Sequence, residues 1–134
     1  MAKRRHEAGN AMAETAVSVP VVLVLTFALI NFAIAGYASV AAANAANYGA
    51  RIGSVTQGGA AAAAASAAHA TLSRTMIGDY QVAASGGGRP GSQVIVTVNW
   101  EAPNYLGSML GLLGGSETVE FKGQAQASFR QEGW

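Results

Sequence analysis

At 134 residues the chain has room for one small domain, and 51% hydrophobic against 11% charged residues is too apolar for an ordinary soluble domain of that size. A formal charge of +1, with no sustained basic patch beyond the first residues, gives nucleic-acid binding no electrostatic support. The absence of cysteine excludes a disulfide framework, a thiolate metal site and a Cys nucleophile.

The chain opens on a basic head, Lys3, Arg4 and Arg5, with Glu7 and Glu14 following. From there to Arg51, 36 consecutive positions carry no formal charge. As a helix at ~1.5 Å per residue this run is about 54 Å long, whereas a bilayer core takes about 20 residues. The densest apolar part, residues 17–40, is the predicted transmembrane segment, and the remainder projects past the membrane. The cationic head predicts a cytoplasmic N-terminus and an exported C-terminal portion.

Three readings of this start compete. A cleavable secretory signal ends in small residues such as Ala41-Ala42-Ala43, but the apolar run exceeds the usual ~7–15 residues and Glu14 interrupts its approach. A plain signal anchor explains the span and gives no role to Gly9 or Glu14. In the third reading the chain is cut between Gly9 and Asn10. The basic leader 1–9 is then released, and the formal charge passes from +1 to −1. Glycine before the cut lets an extended backbone enter a narrow protease site. Glu14, at the lip of the bilayer, is costly without a partner and so marks a function. A new amine on Asn10 of a neighbouring copy is such a partner, and the positive end of the helix dipole also favours Glu14 there.

The Gly9–Glu14 spacing resembles the class III signal of type IV pilins and pseudopilins, which a prepilin peptidase cuts after glycine on the cytoplasmic side. Further residues sharpen the likeness: Glu14, Pro20 within "SVPVVLVLTFALINF", and then "AAANAANYGARIGSV". Over roughly Gly9 to Val55 the sequence resembles the TadE-like proteins, minor pseudopilins of the tight-adherence (Tad) pilus. Thr15 departs from the bulky apolar residue common after the glutamate, which leaves TadE, TadF and related subtypes open. The resemblance implies a bacterial inner-membrane location and a role in pilus biogenesis and adherence. It implies as partners the membrane, a prepilin peptidase, other pilin subunits and the Tad assembly machinery.

Within the helix, Pro20 removes one backbone hydrogen bond and is a candidate kink, although membrane helices also tolerate proline. Asn31 lies in the span and is expected to make a helix–helix hydrogen bond. Gly49 to Arg51 reads as a helix end or a close-packing spot. These features divide the chain into a leader (1–9), an N-terminal helix (10–56) and an exported α+β domain (57–134).

In that domain "GGAAAAAASAAHATLSRTMIG" predicts an alanine-rich helix bracketed by Gly58-Gly59 and Gly78, with contacts through Leu72, Met76 and Ile77. "SQVIVTVNW" alternates, with Val94, Val96, Val98 and Trp100 on one face. "ETVEFKGQAQASFR" sets Val119, Phe121, Ala125, Ala127 and Phe129 against a polar face. A shorter strand at Tyr80 to Ala84 pairs across "SGGGRPGS". The expected fold is α+β: a long transmembrane helix, an alanine-rich second helix and an antiparallel sheet of about three strands. Leu106, Met109, Leu110 and Leu113 share one face of a short helix. That segment either covers the core or forms an apolar patch for another pilin or the bilayer surface.

The inventory for catalysis is thin. His6 falls in the leader, and His69 stands alone in the alanine helix with no ligand at metal spacing. Glu117 and Glu120 fall on opposite strand faces and form no acid/base pair. "GGGRPG" lacks the ending of a phosphate loop, and no nucleophile motif is present. The expectation is a structural protein with no enzymatic activity, no metal, no cofactor and no small-molecule substrate. A signal-anchored binding module and a secreted domain are the alternatives.

Overall fold

The computed structural model describes residues 2–112, 114–115 and 120–133, with the backbone alone for 2–10 and 112. Its order is α1 (Ala2–Val55), α2 (Ala60–Leu72), β1 (Asp79–Gly86), β2 (Gln93–Ala102), α3 (Tyr105–Leu112) and β3 (Phe121–Arg130). The expected α+β architecture is present, with three antiparallel strands in the order β1-β2-β3. Val119 and Leu113, placed on the predicted strand and helix faces, lie outside the described residues, as does Glu117.

α1 runs as one helix of 54 residues, about 80 Å, through Gly9 and Pro20. Its N-terminal half stands free and its C-terminal half lies over β2 and β3. The chain then reverses through Gly58 and Gly59, both at positive φ. α2 runs back along α1 and covers β1 and the near edge of β2. The two helices meet through small residues. Ala60, Ala64 and Ala68 of α2 recur every four positions and face Ala42, Ala45, Ala46, Gly49, Ala50 and Gly53 of α1. The largest fully buried side chains are Val94, Val96 and Val98, on the inner face of β2. The core is thus a plate of valine under a layer of alanine.

α2 ends at Leu72, six residues short of the expected stop at Gly78. The hydroxyls of Ser73 and Thr75 donate back to the carbonyls of Ala70 and Leu72. Such local bonds compete with helix continuation. Leu72 is buried as expected, but Met76 and Ile77 leave the helix and are exposed, Met76 to 94%.

The register puts Val94, Val96, Val98 and Trp100 opposite Phe129, Ala127, Ala125 and Gly123. Alternation therefore assigned the inner face correctly. Phe121 and Phe129 share that face yet stay partly exposed, because they stand at the two ends of β3. Gly123 leaves room for the indole of Trp100 to lie across the strand, where any Cβ would collide with the ring. The outer face carries Gln81, Asn99, Gln124 and Gln126 and is covered by no element among the described residues. On it Gln124 donates to Asn99 at 3.1 Å.

Candidate functional site

From Ala11 to Thr26 every residue of α1 is exposed. This apolar surface belongs to a helix long enough to cross a membrane, as a single-pass protein requires. Its hydroxyls are satisfied within the helix: Thr15, Ser18 and Thr26 donate to the carbonyls of Ala11, Glu14 and Val22, each at 2.8 Å. Such internal pairing suits a helix in lipid, where water cannot serve as a partner. Pro20 brings no N–H, so the Ala16 carbonyl loses its ladder donor while the helix continues.

Glu14 is exposed on this stretch, and among the described residues its carboxylate has no ion-pair or hydrogen-bond partner. The backbone at Gly9 and Asn10 is helical, one turn before it. The spacing of four residues sets Asn10 and Glu14 on one side of the helix. Of the four residues singled out in this region, three (Gly9, Asn10, Glu14) therefore cluster within about two turns, and Pro20 stands beyond them.

The free stretch ends at Asn31, 3% exposed and the first buried residue after Ala11. Its Nδ2 donates to Asn104 Oδ1 at 2.8 Å, and its Oδ1 accepts from the Tyr105 N–H at 3.0 Å. Asn104 also caps α3, its Oδ1 accepting from Gly107 N–H at 2.9 Å. Asn31 thus does join two helices, as its place in an apolar run suggested. Beside this junction Ala28, Phe32 and Ala35 of α1 face Leu106 and Leu110 of α3 across an apolar groove of about 400 Å³, closed at one end by Phe121.

A second polar junction closes the far end of α1. Gln131, 5% exposed, donates from Nε2 to the Thr56 carbonyl and accepts at Oε1 from the Gly88 N–H and the Ser92 hydroxyl. Glu132 N–H reaches the Ser54 carbonyl at 2.9 Å. Sequence reasoning missed both Asn104 and Gln131. "PNYLGSM" does carry a cap signal, an asparagine before a short apolar helix. Nothing local marks Gln131.

Three charged residues, Glu101, Glu120 and Lys122, cluster at the end of the sheet nearest α3. Lys122 pairs with Glu101 and stands 3.5 Å from Glu120. A hydrogen bond from Glu120, then the Lys122 ammonium, hold the Glu101 carboxyl below its usual range. The same hydrogen bond and the Glu101 charge push Glu120 up. Glu101 therefore favours the folded state at neutral pH and loses that contribution as pH falls through its lowered value. Glu120 favours it at low pH and loses that contribution as pH rises through its raised value. The two windows lie on opposite sides of the ordinary carboxylate value, so the cluster stabilises most between them and its share declines as pH falls through the lowered Glu101 value. In a carboxyl NMR titration Glu101 should deprotonate before Glu120, and Lys122→Met should move the Glu101 midpoint upward.

No catalytic pairing accompanies this cluster. His69 lies exposed on α2, and no group of three His, Asp or Glu among the described residues stands at metal-binding spacing.

The comparison with known families falls on the free helix and its approach to the sheet. Residues 9–51 match the family model described as TadE-like protein. Over that segment the chain is similar to the TadE-like family. The match opens on Gly9, takes in Glu14, Pro20 and Asn31, and closes at Arg51, so α2 and the sheet lie outside it. No curated protein and no solved structure matches the chain.

Proposed function

We propose that the protein is a pilin-like subunit of a Tad-type pilus, acting in pilus biogenesis and adherence. The observation that carries this reading is the exposed Glu14, without a partner among the described side chains, one turn past Gly9-Asn10 on an exposed apolar helix whose TadE-like match begins at Gly9. The chain inserts in the bacterial inner membrane with its basic head in the cytoplasm and its sheet exported. A prepilin peptidase removes residues 1–9. Because Gly9 and Asn10 are helical, the segment must unwind to enter the protease. Glycine eases that step, being about 1 kcal/mol worse than alanine in a helix.

In assembly the free half of α1 moves from lipid into contact with other subunits and the Tad machinery. Glu14 then pairs with the new amine of Asn10 on a neighbour. The pairing neutralises a carboxylate that is costly at the membrane edge. Pro20 leaves the ladder one bond short in the middle of this moving segment, which makes it the place where the helix bends.

N-terminal sequencing of the membrane-bound protein is the test. A start at Asn10 is expected. Met1 or Ala2 would indicate a plain anchor, and a start near Ala43 a secreted domain. In the processed protein Glu14→Ala should cut pilus incorporation and adherence by about tenfold, the change that ~1.4 kcal/mol of lost pairing produces. Unchanged incorporation would remove the role given to Glu14.

A further inference from the structure

The short helix α3 has no task in the function just proposed, yet no element of the folded part is more uniformly apolar. Tyr105–Leu112 has no charge, and its hydroxyls are those of Tyr105 and Ser108. A helix apolar on all sides belongs in a core or against lipid. Here α1 covers one side only, and Tyr105 and Leu110 remain about half exposed. No charged residue occurs anywhere from Pro103 to Gly115.

The position of α3 along α1 indicates what meets its open side. α3 is pinned to Asn31, where the free helix ends. Ala11 to Ile30, the stretch before it, counts about 20 residues, or ~30 Å, the thickness of a hydrocarbon core. If that stretch fills the bilayer, Asn31 comes to its outer boundary and carries α3 with it. The apolar surface is continuous across the join, because Leu29 is 72% exposed and Phe32 81%. Asn31 donates to Asn104 Oδ1, and the two amide oxygens accept from the Tyr105 and Gly107 N–H groups at the start of α3, so the junction can sit at this depth with these groups paired. The Glu101–Lys122 pair lies on the strands just beyond, at the level of headgroups and water.

We propose that α3, together with Phe32, lies in the interfacial layer of the outer leaflet and forms a collar that sets the depth of α1. This rests on the reading of α1 as a membrane span. It places the span at residues 11–30, which begins six residues before the expected 17–40 segment and sets Glu14 about one turn inside its inner edge. The occupant of the open face is lipid. A second copy in the groove beside α3 is the competing outcome.

The chain contains no cysteine, so single labels can be introduced without background. Leu110→Cys, Tyr105→Cys, Leu25→Cys and Gln126→Cys, each carrying a nitroxide, are reconstituted at low protein-to-lipid ratio in phosphatidylcholine–phosphatidylglycerol vesicles. Collision with oxygen, which partitions into lipid, is compared with collision with a nickel chelate, which stays in water. Labels at 110 and 105 should show an oxygen-to-nickel ratio several-fold above that at 126, on the exposed polar sheet face, and below that at 25. Ratios at 110 and 105 equal to that at 126, with 25 in lipid, overturn the collar and leave the span standing. A water-like label at 25 overturns both. Labels at 110 and 105 shielded from both reagents identify a second copy as the occupant and also overturn the proposal. Two sites on α3 are used because Leu110 lines the groove, whereas Tyr105 tests the same placement from the first turn.

Discussion

Gly53→Val is expected to open the seam between α1 and α2 and to unfold the exported head at ordinary temperature. A Cβ at Gly53 would lie 2.8 Å from both Ala64 Cβ and Val94 Cγ1, and 2.9 Å from the Ala60 carbonyl oxygen. That oxygen belongs to helical backbone and cannot rotate aside, so α2 must move outward as a body. Two effects compete in the milder Gly53→Ala. Helix propensity favours alanine by about 1 kcal/mol, and overpacking costs ~1–3 kcal/mol. At three contacts this close the clash wins, and a loss of about 1–2 kcal/mol is expected. For a head of this size that lowers Tm by roughly 4–8 °C per kcal/mol.

Gly36 provides the contrast. It lies in the same helix, is exposed, and has nothing within 4 Å of its Cβ position. Gly36→Ala should therefore show the propensity gain alone. Thermal unfolding of the full chain in detergent micelles compares the two. Equal or greater stability for Gly53→Ala than for Gly36→Ala would mean that the seam is not close-packed at Gly53.

Gln131→Ala should cost nearly as much by a different route. One buried amide ties its own C-terminal segment to two others: the end of α1 through Thr56, and the β1–β2 loop through Gly88 and Ser92. Removal strands the Gly88 N–H and the Thr56 carbonyl, at about 1–3 kcal/mol for each group that stays buried. An overall loss of roughly 2–4 kcal/mol is expected, since part of the site can take up water. Gln131→Glu keeps the acceptors but puts a carboxylate oxygen against the Thr56 carbonyl, so it should be destabilised at neutral pH and recover on acidification. Amide exchange at Gly88 should accelerate in both variants. Unchanged exchange and unchanged unfolding would show that the loop is held without Gln131.

What could be read from the residues alone was whatever has a short period. The uncharged run after Glu14 gave the helix, and Val94, Val96, Val98 and Trp100 gave the inner sheet face, because each pattern repeats within one element. The spacing of Gly9, Glu14 and Pro20 was equally local. Contacts between distant parts of the chain left no such trace. Asn31 and Asn104 are separated by 73 positions, and Gln131 and Thr56 by 75. Glu101 meets Lys122 through the pairing of β3 with β2, 21 positions apart in the chain. The stop of α2 was missed for a local reason. Hydroxyl bonds at Ser73 and Thr75 overrode an alanine pattern that otherwise favoured continuation.

The unbroken course of α1 has a mechanical consequence. The helix that carries Glu14 also lies across β2 and β3 and along α2, with no break in the helix between the free part and the docked part. A pull on its N-terminal end therefore runs down the helix axis into the head. It loads the contacts from Asn31 to Gly53 together, in shear, instead of peeling them one after another. The alanine–glycine seam offers little friction of its own, so resistance to such a pull falls on the two polar clasps at its ends, Asn31 with Asn104 and Thr56 with Gln131.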